Sequence, residues 1–279
     1  MTSLLALLSS LLWGTSDFIG GRLSRRASSI WVVAASQACS LGMLTVAAVG
    51  AFAFGMRAHG AGWLPWGVAG GLSLSVALVS FYRGLAVGRM GIVAPIASTG
   101  VIVPVAVGLL EGDRPAALQA VGVAVAVVGV LLASRPAAHV DGESGGRAAV
   151  GLALLAGLGF GTALVCLHSG AASNGLDTLW AMRLVIVTVL AVPAWRARPA
   201  AVDGGTWRTL VALGVCDVSS NAAFALASIS GELALVAVLS SFYPVVTTLL
   251  ARELLHERLS HSQLVGVVAT VAGTVLIVV

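Results

Sequence analysis

Residues 91–105 read GIVAPIASTGVIVPV and residues 231–245 read GELALVAVLSSFYPV. Laid on each other they pair Gly91 with Gly231, Ala94 with Ala234, Ala97 with Ala237, Pro104 with Pro244 and Val105 with Val245. The register then slips by four residues, about one helical turn. Beyond the slip Arg114 meets Arg258, Gln119 meets Gln263, Gly122 meets Gly266, Val127 meets Val271, Gly129 meets Gly273 and Leu132 meets Leu276. Nearer the start of each half, Gly14-Thr15 answers Gly161-Thr162. Apolar helices match one another through composition alone, but Pro, Gln, Arg and Gly recurring in one order point to duplication.

The residues around these stretches decide the solvent. Of 279 residues, 58% are hydrophobic and 9% charged, and the mean hydropathy is +1.03. Soluble domains carry roughly a quarter charged residues, so the apolar excess must face lipid. A spanning helix needs about 20 apolar residues, and runs of that kind fall near 3–21, 30–53, 64–84, 91–110, 116–134, 148–168, 178–195, 207–228, 233–251 and 262–279. The longest polar stretch, Arg135–Arg147 (RPAAHVDGESGGR), holds Pro, Gly and both charge signs and reads as a linker. The expected organisation is an all-α integral membrane protein of ten transmembrane helices, as two inverted five-helix repeats around a central cavity. Residues 1–135 form the first repeat, 136–147 the polar linker and 148–279 the second repeat. Five is odd, so the second repeat enters the bilayer from the opposite side.

All 15 basic residues are arginine. Sorted by loop, most of them, including Arg22, Arg25, Arg26, Arg196, Arg198 and Arg208, fall on one side, while Arg57, Arg114 and Arg183 fall on the other. The positive-inside rule then places both termini outside, in a multi-pass protein of the plasma or inner membrane. The calculated pI near 9.6 reflects this topology and argues for no nucleic-acid partner. Residues 1–21 lack a basic segment before the apolar run and read as a retained helix, not a signal peptide. Cys39, Cys166 and Cys216 lie in apolar runs without metal-ligand spacing; no cofactor and no metal are expected.

Trp13–Phe18 (WGTSDF) resembles the first-helix signature of the EamA-type transporters of the drug/metabolite transporter superfamily. Pro104 with Gly112-Asp113-Arg114 and Gln119, and Pro244 with His256-Glu257-Arg258 and Gln263, are similar to that family's repeated proline, "GER" and glutamine pattern. The chain departs from it in having Asp113 for Glu and His256 for Gly. The resemblance implies a ten-helix carrier of metabolites, amino acids or drug-like compounds, often an exporter. It names no substrate, because function resides in the site.

An ionisable side chain in hydrocarbon costs on the order of 3 kcal/mol by insertion scales, so each one needs a partner, a wet cavity or a role. Asp217, Ser220 and Asn221 share one helical face near mid-span. They either line a cavity, with Asp217 taking a cationic group or a proton, or form a buried hydrogen-bond cluster joining helices. Asp17 lies one turn beyond Trp13 and is either a cation or proton site or an interfacial carboxylate paired with Arg22, Arg25 or Arg26. Pro95 and Pro104, with Ser98 and Thr99 between them, and Pro244, flanked by Ser240 and Tyr243, interrupt their helices where freed carbonyls and hydroxyls can face a cavity and gate it. Gln37, His168 and Arg183 read as structural, with Arg183 snorkelling from the start of its helix.

A secondary carrier moving a small solute by alternating access follows from this set, with protons as the candidate coupling ion and the lipid bilayer as solvent. A monomer suffices for two repeats in one chain, without excluding a dimer. A non-transporting scaffold is the alternative, though the short loops offer little to contact. An intramembrane enzyme is the lesser alternative: no HExxH, GxSxG or GxGD occurs, and His256-Glu257 lacks the second zinc-helix histidine because position 260 is Ser.

Overall fold

The computed structural model describes residues 1–53, 60–87, 90–112, 116–133, 146–240, 242–255 and 261–278. These are mostly helical, joined by short turns, with no strand among the described residues. The chain begins α1 (Thr2–Ser24), α2 (Ser29–Ala53) and α3 (Trp63–Val87). Then come α4 (Met90–Ser98), a 3₁₀ turn (Thr99–Val101), α5 (Ile102–Glu111) and α6 (Ala117–Ala133). The second half runs α7 (Gly146–Arg196), α8 (Gly204–Ser230), α9 (Leu233–Ser240), α10 (Tyr243–Leu255) and α11 (His261–Val278). The Asp113-Arg114 and His256-Glu257-Arg258 motif positions, and most of the Arg135–Arg147 linker, lie outside the described residues.

Among the described residues five helices are long and apolar enough to cross a membrane: α1, α2, α3, α7 and α8. The separate spans expected at 148–168 and 178–195 fall in the two arms of α7, which Asn174, with φ −161° and ψ 104°, divides. Local chemistry explains the break. Asn174 Oδ1 accepts the Asp177 amide at 3.1 Å, and Asn174 Nδ2 donates to Asp177 Oδ2 at 2.8 Å. That is an N-cap reinforced by its N3 residue, so a helix start is written inside the chain. Asp203 caps α8 in the same manner, its Oδ1 accepting the Thr206 amide at 3.0 Å.

The expected interruptions also appear. Pro104 has no N–H for the carbonyl of Gly100 and stands just past the 3₁₀ turn, while Pro244 has none for Ser240 and stands just past the gap between α9 and α10. Each break rests against a glycine of the other half. A β-carbon at Gly161 on α7 would collide with the Gly100 carbonyl and with Val103; one at Gly14 on α1 would collide with the Tyr243 carbonyl and with Val246. The adjoining threonines bond back alike, Thr15 to Leu11 O and Thr162 to Leu158 O, at 2.8 and 2.9 Å.

Around these crossings α1 packs on α8, α9 and α10, α3 runs along both arms of α7, α2 leans on α7 and α8, and α6 pairs with α11. Large apolar side chains such as Leu4, Val46, Phe52, Leu110, Leu158 and Val192 point outward, whereas Ser9, Ser16, Ser36, Ser40, Ser75 and Ser80 are buried. Apolar side chains on the outer surface and buried serines between helices suit a hydrocarbon solvent, in which small and polar residues mediate helix contacts. Trp195 and Trp207 are exposed where α7 ends and α8 begins, and Trp66 is exposed at the start of α3. Helix-end tryptophans of this kind suit the membrane interface.

Candidate functional site

Gly214 on α8 lets α2 come close, with a β-carbon there meeting Ser36 O and Cys39, and Ser40 Oγ donates to Gly214 O at 3.0 Å. One turn along each helix, that approach brings Gln37 to Asp217, whose Oδ2 accepts Gln37 Nε2 at 2.9 Å. The same oxygen accepts Nη2 of Arg183 at 2.9 Å. Asn221 Nδ2 donates to Asp217 O at 2.7 Å and, more weakly, to its Oδ1 at 3.4 Å. Ser220 donates to Asp217 O at 2.7 Å, so its hydroxyl serves its own helix.

The position of Arg183 corrects the sequence reading. It was expected to snorkel from a helix start and was counted among the outer arginines. Instead it lies well inside the second arm of α7, fully buried, with its charge on Asp217. Both ions sit in apolar runs, LWAMRLVIV and LGVCDVSS, and neither is tolerable in hydrocarbon alone. That shared cost was the signal in the sequence that the two residues belong together.

Asp17 is different. It is 8% exposed on α1, lines the same small cavity as Asp217, Asn221, Trp13 and Tyr243, and lies within electrostatic reach of Asp217. Among the described residues its carboxylate makes no ion pair and no hydrogen bond, and none of Arg22, Arg25 and Arg26 reaches it. Tyr82 and Tyr243 both feel its charge. Trp13 closes one wall, tilted against Phe224 at 5.8 Å between ring centroids. One buried cation thus faces two buried carboxylates, and with both ionised the cluster carries a net −1.

The cavity measures about 60 Å³, room for roughly four waters at ~15 Å³ each. A second, smaller void beside it shares Trp13, Phe160, Leu164 and Tyr243 and is lined by Ser98 and Ser240 from the two helix breaks. Ser240 Oγ also donates to Ala6 O at 3.3 Å. Thr99 turns its hydroxyl to Ile96 O at 2.6 Å and lines neither void. Pro104 and Pro244 are buried at the two breaks, while Pro95 lies in α4 with its side chain outside the described positions. His168 stands apart, 3.7 Å from Glu111 at the end of α5. Arg83 is exposed and does not enter the cavity. No group of His, Cys, Asp and Glu among the described residues could hold a metal.

Residues 147–279 match the EamA-like transporter family. One crystal structure of another protein superposes with a TM-score of 0.78 over 99% of this chain and 95% of that one at 19% sequence identity, a likeness of fold alone. No curated protein matches the sequence. The apolar helices and this match together make the chain a multi-pass membrane protein whose residues 147–279 are similar to the EamA-like transporter family.

Proposed function

On the premise that residues 147–279 form an EamA-like transporter domain, we propose that the chain is a ten-span secondary carrier of a small solute, working by alternating access. Asp17 is its exchangeable site. The observation that carries this reading is the buried carboxylate of Asp17, without a partner among the described residues, on a cavity walled by Trp13 and Tyr243. Asp217 is already neutralised by Arg183 and held by Gln37 and Asn221, so it fixes helices and shapes the wall. Asp17 has no such partner and needs a proton or a cationic group. One carboxylate that takes either in turn couples solute movement to protons.

The inverted repeat accounts for how such a site reaches both faces. Support for it comes from the main helix pairings, several of which have a counterpart when α1, α2, α3, α4–α5 and α6 are exchanged with the first arm of α7, its second arm, α8, α9–α10 and α11. The pairing of α1 with α8 becomes that of the first arm with α3, and the packing of α6 on α11 is unchanged. Gly14 against α10 becomes Gly161 against the 3₁₀ turn and α5. Two such halves exchange conformations by rocking about the shared cavity. The positive-inside count supports both termini outside.

The test is flux in proteoliposomes. The purified chain is assayed for uptake of tetraethylammonium, lysine, phenylalanine and glucose, with and without an imposed pH gradient and with an internal pH dye. At least one solute should move and carry a proton signal in the opposite direction. Asp17→Asn should abolish that proton signal, whereas Arg25→Gln should not. Transport by Asp17→Asn with undiminished proton dependence would remove Asp17 from the scheme.

A further inference from the structure

A second cavity, of about 470 Å³, lies between the end of α1, the start of α2 and the loop leading into α8. It falls in the size range of small-molecule sites, ~300–1,000 Å³, and is several times the size of the central cavity. Its polar side chains are Arg22, Arg26 and Trp31 on one wall and Asp203, Thr206 and Thr209 on the other. Arg22 and Arg26, four residues apart in sequence, both line it, whereas Arg25 does not. Neither guanidinium makes an ion pair or hydrogen bond among the described residues. Trp31, 8% exposed as a residue, lines it too, and its indole N–H makes no hydrogen bond among the described residues. The acid on the far wall, Asp203, is engaged in capping α8. Two arginines less one aspartate leave a net +1.

We propose that this cavity binds the singly charged phosphodiester of a phospholipid headgroup. The guanidinium groups of Arg22 and Arg26 supply charge-assisted hydrogen bonds to the phosphate oxygens, and the Trp31 N–H supplies a further donor. Phe18 and Ile19, one turn deeper on α1, give the glycerol and first methylenes an apolar wall. Asp203 disfavours a doubly charged phosphate monoester. Positive-inside arginines alone would require no cavity and would not distinguish Arg22 and Arg26 from Arg25. The helix-end tryptophans Trp195 and Trp207 next to this loop place the cavity at headgroup depth. Its position between α1 and α8, the helices that carry Asp17 and Asp217, makes a bound lipid a wedge between the two halves.

Native mass spectrometry of the full chain, released from detergent with added dioleoyl phosphatidylglycerol or phosphatidylethanolamine, tests this. Arg22→Gln, Arg25→Gln, Arg26→Gln and Trp31→Phe are compared with the unaltered chain. Arg22→Gln and Arg26→Gln should each weaken the tightest lipid adduct about tenfold or more, Trp31→Phe should weaken it a fewfold, and Arg25→Gln should change it less than twofold. Thermal unfolding of each variant without lipid should stay within about 2 °C of the parent, separating lost binding from lost fold. Equal losses in Arg22→Gln and Arg25→Gln would reduce the effect to general surface charge and overturn the proposal. Displacement of the lipid by millimolar inorganic phosphate or glycerophosphoethanolamine would overturn the lipid source and assign the cavity to a soluble phosphate.

Discussion

Replacing Arg183 by Met removes one ion of a pair whose members are 0% and 9% exposed by side chain and whose atoms stand 2.9 Å apart. Asp217 would keep Gln37 and Asn221 as donors but would lose its countercharge, and breaking a buried pair from one side costs about 3–5 kcal/mol. For a chain of this size 1 kcal/mol shifts Tm by roughly 2–4 °C, so the single variant should unfold at least 6 °C, and more typically about 10 °C, below the parent. Replacing both residues with apolar ones, Arg183→Met with Asp217→Leu, removes the stranded charge and should restore at least half of the loss, because a buried pair is seldom better than a well-packed apolar substitute. Asp217→Asn alone should behave like Arg183→Met, since it strands the guanidinium. The assay is a thermal unfolding series in one detergent, read as a double-mutant cycle. A loss below about 2 °C for Arg183→Met, or strictly additive losses in the double variant, would refute the assignment of Arg183 as the countercharge of Asp217.

Gly14→Val and Gly161→Val each thrust a side chain into a helix break of the opposite half; both should destabilise by about 1–3 kcal/mol and halve or abolish flux, and a silent Gly161→Val would deny the close crossing. Asn174→Ala removes the cap that starts the second arm of α7 and should cost about 1 kcal/mol, visible as a lower Tm, with Asn174→Asp retaining most of the parental value. The Thr206 hydroxyl and amide hold the Asp203 carboxyl below its ordinary value. Its cap is therefore complete above the unfolded value of about 3.9 and is lost as pH falls below that through the folded value; amide exchange at the start of α8 should quicken on acidification in the parent but not in Asp203→Asn.

Much of the architecture was legible because hydropathy in a bilayer is a one-dimensional signal. Apolar run lengths placed α1, α2, α3 and α8 within a few residues, and Pro104 and Pro244 marked the breaks. The break at Asn174 falls between the spans expected at 148–168 and 178–195, and what the sequence left open was its brevity, since the surrounding residues are apolar and small and the helix restarts on the short cap pair Asn174 and Asp177. At the site, spacing along α8 grouped Asp217 with Ser220 and Asn221, which is local and periodic. The partner that matters most to Asp217 is 34 residues away on another helix, and Gln37 is 180 residues away. No period connects such positions; only the cost of two lone charges in hydrocarbon does. Asp17 could be read either as interfacial or as facing a cavity for a similar reason, because four residues from a helix end leave depth undecided until the packing of α1 on α8 and α10 is known.

Labelling of a single cysteine at Leu164, on the cavity wall, in a chain with Cys39, Cys166 and Cys216 replaced by Ala, tests alternating access most directly. A membrane-impermeant thiol reagent is applied to one face of sealed vesicles and then, in a separate sample, to the other. A cavity that opens alternately between two inverted halves predicts labelling from each face, with solute that favours one opening suppressing labelling from the opposite side. Labelling from neither face, or unaltered labelling from both at once in saturating solute, would contradict it.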